Sequence, residues 1–494
     1  MPITPALALH RTLVVNLASA LGAELIETHI SWLVLYGEFV CKFKKPVRLP
    51  FVDYRSLAAR RHFCEEEVRL NSRLAPSLYL GLARIAGTFQ TPTLDGAGPA
   101  LDYAVRMRRF PKGALFGEQL ESATLNRLDV DRLAILLADF HNGQAPAEPL
   151  SGFGSAERRR LAALAALRGA LPVATPAEQA RLRNWLDIES IRLAPLWSLR
   201  QKEGWVRECH GDLHLDNVVS LEGGVAAFDG IEFDAALRWI DVLDDIAFPV
   251  MDFMARGRLD FAFRLLNEWL DRTGNHAGLP ALRFSLVYRA LVRTQVAQLS
   301  GPGHEAAARR YLNTALQLTQ PGQARLIITH GLPGSGKTFQ SEQALEREGA
   351  VRLRSDVQRK RLFGLSMLED SRSKGLDLYS PDATARTYAQ LFQLARLALE
   401  AGYPVVVDAA FLRQAERAQA VALADELGLP ISIIDCKAPL QVLRARIGAR
   451  HGDASEATAT VLDALRLSAE PLDAQELGRV ISAAGQDSPR RAAC

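Results

Sequence analysis

The sequence predicts two domains, the second an α/β domain built on a parallel sheet. Three observations predict this. At 494 residues the chain exceeds what one hydrophobic core organises. The segment Thr319-Gln320-Pro321-Gly322-Gln323 is short, polar and rich in chain breakers, so the reading is a domain at 1–318, a linker at 319–324 and a domain at 325–494. Beyond that linker, strand-like and helix-like patterns alternate, which is the order of a parallel sheet covered by helices on both faces.

In the first domain, Ile30–Lys45 (ISWLVLYGEFVCKFKK) carries two β-branched and aromatic runs around Gly37-Glu38 and reads as a hairpin. The next 21 residues, SLAARRHFCEEEVRLNSRLAP, keep helical spacing until Pro76 stops them. Tyr103–Phe110 reads as a strand, and residues 114–200 are mostly helical. A strand, turn and strand follow over Glu208–Phe233, then helices to about Leu318. Leu13–Ala23 is apolar, but only Arg11 precedes it as a firm cation and Asn16 interrupts it. A short amphipathic helix is therefore expected in place of a secretion signal.

Composition excludes several function classes. Apolar residues at 48% and charged residues at 23% suit a globular protein, and a net charge of +3 gives no sign of a nucleic-acid-binding tail or a basic membrane-binding surface. Cys41, Cys64, Cys209, Cys436 and Cys494 show no paired spacing, which argues against a disulfide framework and suits a reducing cytoplasm. No apolar run reaches the length of a membrane-spanning helix.

The strongest motif is Gly331-Leu332-Pro333-Gly334-Ser335-Gly336-Lys337-Thr338, a P-loop between an apolar strand and a helical pattern. Its glycines let backbone N–H groups turn inward around phosphates, and the new helix adds the positive end of its dipole. Lys337 is expected to reach the outer phosphates of ATP, and the Thr338 hydroxyl to ligate Mg²⁺. Asp408 ends the strand-like run YPVVVD and is the candidate second carboxylate at the metal. In Arg354-Ser355-Asp356-Val357-Gln358-Arg359, Asp356 is placed to take a hydroxyl proton and Arg359 to hold an anionic group; helix capping explains the same acid structurally. The helix around Leu443–Arg450 carries Arg444, Arg446 and Arg450, either as lid arginines or as a solvated basic face.

These segments, with VVVDAAFLR and GDASEA, resemble the small P-loop kinases of gluconate, chloramphenicol and polynucleotide 5′-hydroxyls, over about residues 325–465. The resemblance implies a P-loop NTPase fold and phosphoryl transfer from ATP, with Asp356 in the general-base position and Arg446 or Arg450 in a lid. Ala409-Ala410 after Asp408 departs from the Thr or Asn often found there.

In the first domain, His210-Gly211-Asp212-Leu213-His214-Leu215-Asp216-Asn217 spaces Asp212 and Asn217 as in a kinase catalytic loop, with Asp212 as base and Asn217 as metal ligand. The short strand VAAF then leads to Asp229, a second metal-ligand position. A zinc set of His210, Asp212 and His214 lacks its remaining ligand. Lys42 and Lys44 share one face of their strand, and Glu65, Glu66 and Glu67 stand on the next helix; the favoured nucleotide-binding pair is Lys42 with Glu67. HGDLHLDN and FDGIEFD resemble the aminoglycoside phosphotransferase and choline kinase group over about residues 25–300. That likeness implies an α+β protein-kinase-like fold, a hinge strand at Tyr103–Phe110 against adenine, and Asp245 as a structural partner. No Gly-rich loop of kinase spacing stands between Leu25 and Leu35.

The whole order resembles bacterial proteins that fuse an aminoglycoside-phosphotransferase-like domain to a P-loop ATP-binding domain. The implied protein has two Mg²⁺-ATP sites and phosphorylates a small hydroxylated acceptor. The competing reading is a regulatory protein, with a kinase-like sensor and a P-loop switch. Neither nucleic acid nor membrane is an expected partner, and the sequence leaves the oligomeric state open.

Overall fold

The computed structural model describes residues 4–49, 52–148, 151–449 and 453–481. It divides into two compact units: Met1–Asp252 with Tyr288–Ala315, and Phe253–Val287 with Leu316–Cys494. Packing thus assigns residues 253–287 to the second unit, although they precede the 319–324 linker by more than thirty residues. No helix among the described residues is long and apolar enough to cross a membrane.

The first unit opens with the helix Pro5–Ala20, capped by the Thr4 hydroxyl, and a six-stranded antiparallel sheet. The hairpin expected at 30–45 forms from Ser31–Tyr36 and Phe39–Lys44, in register from Ser31 opposite Lys44 to Tyr36 opposite Phe39. Period-two alternation then sorts its residues. Cys41 and Phe43 join Trp32 and Val34 in a buried cluster with Leu13, Val14 and Leu17 of the first helix. Lys42 and Lys44 consequently point to the opposite face. The helix Leu57–Asn71 starts where the Ser56 hydroxyl accepts the Ala59 N–H at 3.1 Å, and it carries the Glu67 that meets both lysines. The strand Asp102–Arg108 lies between Phe39–Lys44 and Tyr79–Gly87. Long helices follow; Pro176–Lys202, for example, begins with Pro176 at its first turn and a reciprocal Thr175–Glu178 cap.

The second unit holds four parallel strands in the spatial order Val351–Arg354, Val405–Asp408, Leu326–His330, Ile431–Asp435. Leu326, Ile327, Ile328, Val405, Val406 and Val407 are wholly buried, as expected for a strand covered on both faces. Arg354, Asp408 and the P-loop all fall at or just beyond the carboxyl ends of these strands, the edge at which open α/β sheets bind ligands. The helix Leu259–Thr273 packs against the P-loop helix Lys337–Glu348 and the edge strand Val351–Arg354. Asn267 donates to the Ala350 carbonyl at 2.8 Å and accepts the Arg352 N–H at 2.6 Å, so one amide side chain pairs the open edge of the sheet as a neighbouring strand would.

Candidate functional sites

In the second unit, the loop 331–338 leads from the strand Leu326–His330 into the helix Lys337–Glu348, as its motif requires. Gly331 sits at φ 142°, and a β-carbon there would come within 2.3 Å of the Cys436 carbonyl; only glycine fits. Lys337 Nζ donates to the Leu332 carbonyl at 3.0 Å. Ser335 Oγ is buried with no hydrogen-bond partner among the described residues, a polar atom turned into a cradle built for a polar ligand. Asp408, 5% exposed, accepts from the Ser341 hydroxyl at 3.2 Å. Thr338 and Asp408 both line the cavity, and together they offer the hard oxygen donors that suit Mg²⁺.

These groups open into a cavity of about 1020 Å³ that also receives Asp356, Arg359, Tyr379 and Arg446. Asp356 pairs with Arg359 at 3.0 Å, and the Arg359 guanidinium lies over the Tyr379 ring. Arg446 donates to the Gly334 carbonyl at 3.1 Å, which holds it against the phosphate loop, whereas Arg444 turns to Asp463 at 3.0 Å. Arg450 lies outside the described residues. The sequence reading missed Arg354, which lines the same cavity and donates to Asp453 at 2.9 Å. Its adjacency to Asp356 was visible in the sequence, but its partner 99 residues away was not.

In the first unit, the loop 210–217 is fixed through its backbone. Asp245 accepts the N–H groups of His210 at 3.1 Å and Gly211 at 2.9 Å, and Asp252 accepts that of Leu215 at 2.9 Å. Gly211 adopts φ 86°, where a β-carbon would meet the Leu237 carbonyl at 2.7 Å. Asn217 donates to the Asp212 carbonyl at 2.9 Å. The hairpin Val218–Leu221 with Gly224–Ala227 then returns the chain, so the Phe228 N–H donates to the Asn217 carbonyl at 3.0 Å and Asp229 follows directly. His210 Nε2 is engaged with the Phe228 carbonyl at 2.9 Å, a contact that does not suit the zinc set. Burial works against an ionised Asp212, but His214 at 3.6 Å and Arg293 outweigh it and hold the carboxyl below the ordinary carboxylate range.

Lys42 and Glu67 form the expected pair, at 2.9 Å. Lys42 also bonds Asp229, which adopts φ 62° and donates its N–H to Tyr79 Oη at 3.1 Å. Burial alone would lower the Lys42 pKa; Asp229 and Glu67 reverse that and hold it well above its ordinary value. Glu65 and Glu66 face elsewhere, toward Arg61 and Arg69. Sequence reasoning did not find that Lys44 shares Glu67, at 2.7 Å, and bonds Glu232, which also accepts from Tyr54. Glu232 stands 188 residues from Lys44, and no local signal joins them.

Residues 60–284 match the phosphotransferase enzyme family, and residues 326–472 match an AAA domain. The uncharacterized protein Rv2004c of Mycobacterium tuberculosis is 32% identical over 449 residues, covering 89% of this chain and 88% of its own. Among solved structures, the choline kinase of Cryptosporidium parvum is similar at 10% identity, over 60% of this chain and 88% of that one, with a TM-score of 0.40. The APS kinase CysC of Mycobacterium tuberculosis, in complex with AMPPNP and APS, is similar at 25% identity over 26% and 71%, with a TM-score of 0.22. The likeness to Rv2004c along nearly the whole of both chains places this protein in the same family, and its phosphotransferase-family and P-loop domains make it an ATP-dependent phosphotransferase.

Proposed function

We propose that the protein phosphorylates small hydroxylated molecules, using one Mg²⁺-ATP site in each unit. The observation that carries this reading is the convergence of the phosphate loop, Asp408 and Asp356 on one large cavity. Such a cavity leaves room for an acceptor beside the nucleotide.

In the second unit, the loop N–H groups and Lys337 hold the triphosphate, and Arg446 lies where it offsets charge on the transferring group. Thr338 and Asp408 would hold Mg²⁺, which supplies charge neutralisation across the phosphates. The acceptor hydroxyl attacks the γ-phosphorus while the bond to the β,γ-bridging oxygen breaks. ADP leaves, and the hydroxyl proton passes to Asp356. In the first unit, Lys42, ordered by Glu67, would meet the nucleotide phosphates, Asn217 and Asp229 would hold the metal, and Asp212 would orient the hydroxyl. His214 and Arg293 favour the ionised carboxyl of Asp212, which would take the hydroxyl proton as the oxygen–phosphorus bond forms.

Two observations favour the regulatory reading for the first unit: Lys42 is already bonded to Asp229, and the turn 28–30 between the first two strands contains no glycine to close over phosphates. The experiment that separates the readings is transfer from labelled ATP to a panel of hydroxylated metabolites. It is run on the full chain, on Lys337→Ala and on Asp212→Asn. Acceptor-dependent transfer removed only by Lys337→Ala assigns activity to the P-loop unit alone. ATP binding with no transfer to any acceptor overturns the proposal.

A further inference from the structure

We propose that Asp271 is a positioning residue of the P-loop site, holding Arg354 in the cavity beside Asp356; this rests on the phosphotransfer reading of that site. Asp271 stands on the helix Leu259–Thr273, inside the stretch that matches the phosphotransferase enzyme family, yet it packs within the second unit.

The register follows from two periodicities. Asn267 and Asp271 are four apart on a helix and share a face, and Arg352 and Arg354 are two apart on a strand and share a face. Asn267 locks the helix to the strand edge through its bonds to Ala350 and Arg352. One turn on, Asp271 Oδ2 is set 3.5 Å from Arg352 Nη2 and 3.8 Å from Arg354 Nη1. Arg361 adds a bond to the Asp271 carbonyl at 2.8 Å, and Arg264 fixes the same helix to Glu342 and Glu346 of the P-loop helix.

The Asp271 side chain is 0% exposed, and its Oδ1 has no hydrogen-bond partner among the described residues. Burial pushes its carboxyl up despite the nearby Arg352 and Arg354. A carboxylate this poorly satisfied is a costly way to stabilise a fold. Its field falls on the guanidinium groups of Arg352, Arg354 and Arg361, of which only Arg354 lines the cavity. The other partner of Arg354, Asp453, is 31% exposed and lies on a loop. Asp271 is therefore the rigid anchor of the pair, and rigid elements hold a site group more closely than loops do.

The test is a double-mutant cycle in the full-length chain, reading ATP turnover after subtracting the rate of Lys337→Ala. Asp271→Asn alone should lower kcat roughly 10–100-fold, with KM for Mg²⁺-ATP held within about 3-fold, as when a site group is displaced by about an ångström. Combined with Arg354→Gln it should cost nothing beyond Arg354→Gln alone. Arg352→Met, which loses a partner that does not reach the cavity, should lower the melting temperature and keep kcat. If Asp271→Asn fails to fold, Asp271→Glu keeps the charge, displaces it by one methylene and enters the same cycle. Additive losses, or an equal kcat loss in Arg352→Met, would overturn the assignment. A wild-type chain without Lys337-dependent turnover sinks the phosphotransfer reading instead. The cycle is then read in Mg²⁺-ATP affinity by calorimetry, where coupling between 271 and 354 supports the positioning role and its lack overturns it.

Discussion

Lys42 Nζ lies 2.9 Å from Glu67 Oε1, and the other oxygen of that carboxylate belongs to Lys44 at 2.7 Å. Glu67 is wholly buried and pairs with two cations at once, the buried Lys44 and the partly buried Lys42. Glu67→Ala leaves Lys42 only Asp229 and Lys44 only Glu232 as acid partners, so it should destabilise the first unit by about 1–3 kcal/mol. Denaturant melts of Glu67→Ala and wild type check this; a difference inside experimental error would show that Asp229 and Glu232 compensate fully.

The same triad sets an acid limit on stability. Burial opposes an ionised Glu67, but Lys42 and Lys44 outweigh it and hold the carboxyl at about 2. Asp245 is also held at about 2, where the His141 contact outweighs burial. Both carboxyls bind protons more tightly in the unfolded chain, near pH 4, than in the folded one. Their stabilisation is thus complete above about pH 4.5 and is lost as pH falls toward 2. Melting temperatures between pH 7 and pH 2.5 should drop mainly below pH 4.5, and Glu67→Gln should flatten that drop.

Much of this was legible in the sequence where the chemistry is local. The hairpin, the helix carrying Glu67, the loop 210–217 and the P-loop each declare themselves within twenty residues, through alternation, capping or glycine spacing. Choosing Glu67 over its two neighbours followed from its place along the helix, and the ion pairs agree. The packing of 253–287 was not legible. An amphipathic helix reveals that one face is buried, never which core buries it. Leu259–Thr273 has such a face, and nothing in its own residues distinguishes the Glu342 and Glu346 it meets from partners nearer in sequence.

Lys337→Ala in the full chain should lower P-loop turnover by about 10²–10³-fold, since on the proposed reading the side chain brings positive charge to the outer phosphates. The domain should still fold, because Lys337 is only half-buried and donates to a loop carbonyl, that of Leu332. Equal thermal melts with lost turnover are the expected pair of results. Retained turnover would remove Lys337 from the site.

A fragment starting at residue 320 should behave worse than the linker suggests. It lacks Asn267, so the edge strand Val351–Arg354 would present unpaired backbone groups, a template for aggregation. Asn267→Ala in the full chain isolates the effect, at an expected cost of about 1–3 kcal/mol for the unsatisfied groups. Faster hydrogen exchange at the Arg352 amide is the direct readout. A soluble, cooperatively melting 320–494 fragment would count against this account.

Asp212 and Asp229 should fail differently when replaced. The comparison is made in chains already carrying Lys337→Ala, so that the first unit is read alone. Asp212→Asn keeps the loop's backbone bonds to Asp245 and Asp252 and leaves Asn217 and Asp229 in place. Mg²⁺-ATP should therefore still bind, while transfer falls by about 10²–10⁴-fold through loss of the group that orients the hydroxyl. Asp229→Ala removes the carboxylate proposed to hold the metal, and it also releases Lys42 from one of its two acids. Nucleotide affinity should weaken in that variant even though Lys42 becomes freer to meet phosphate. Calorimetric titration of Mg²⁺-ATP, beside transfer assays, distinguishes the two. Undiminished affinity in Asp229→Ala would mean that the acid serves only to hold Lys42, and the first unit would then be better read as a sensor than as a second transfer site.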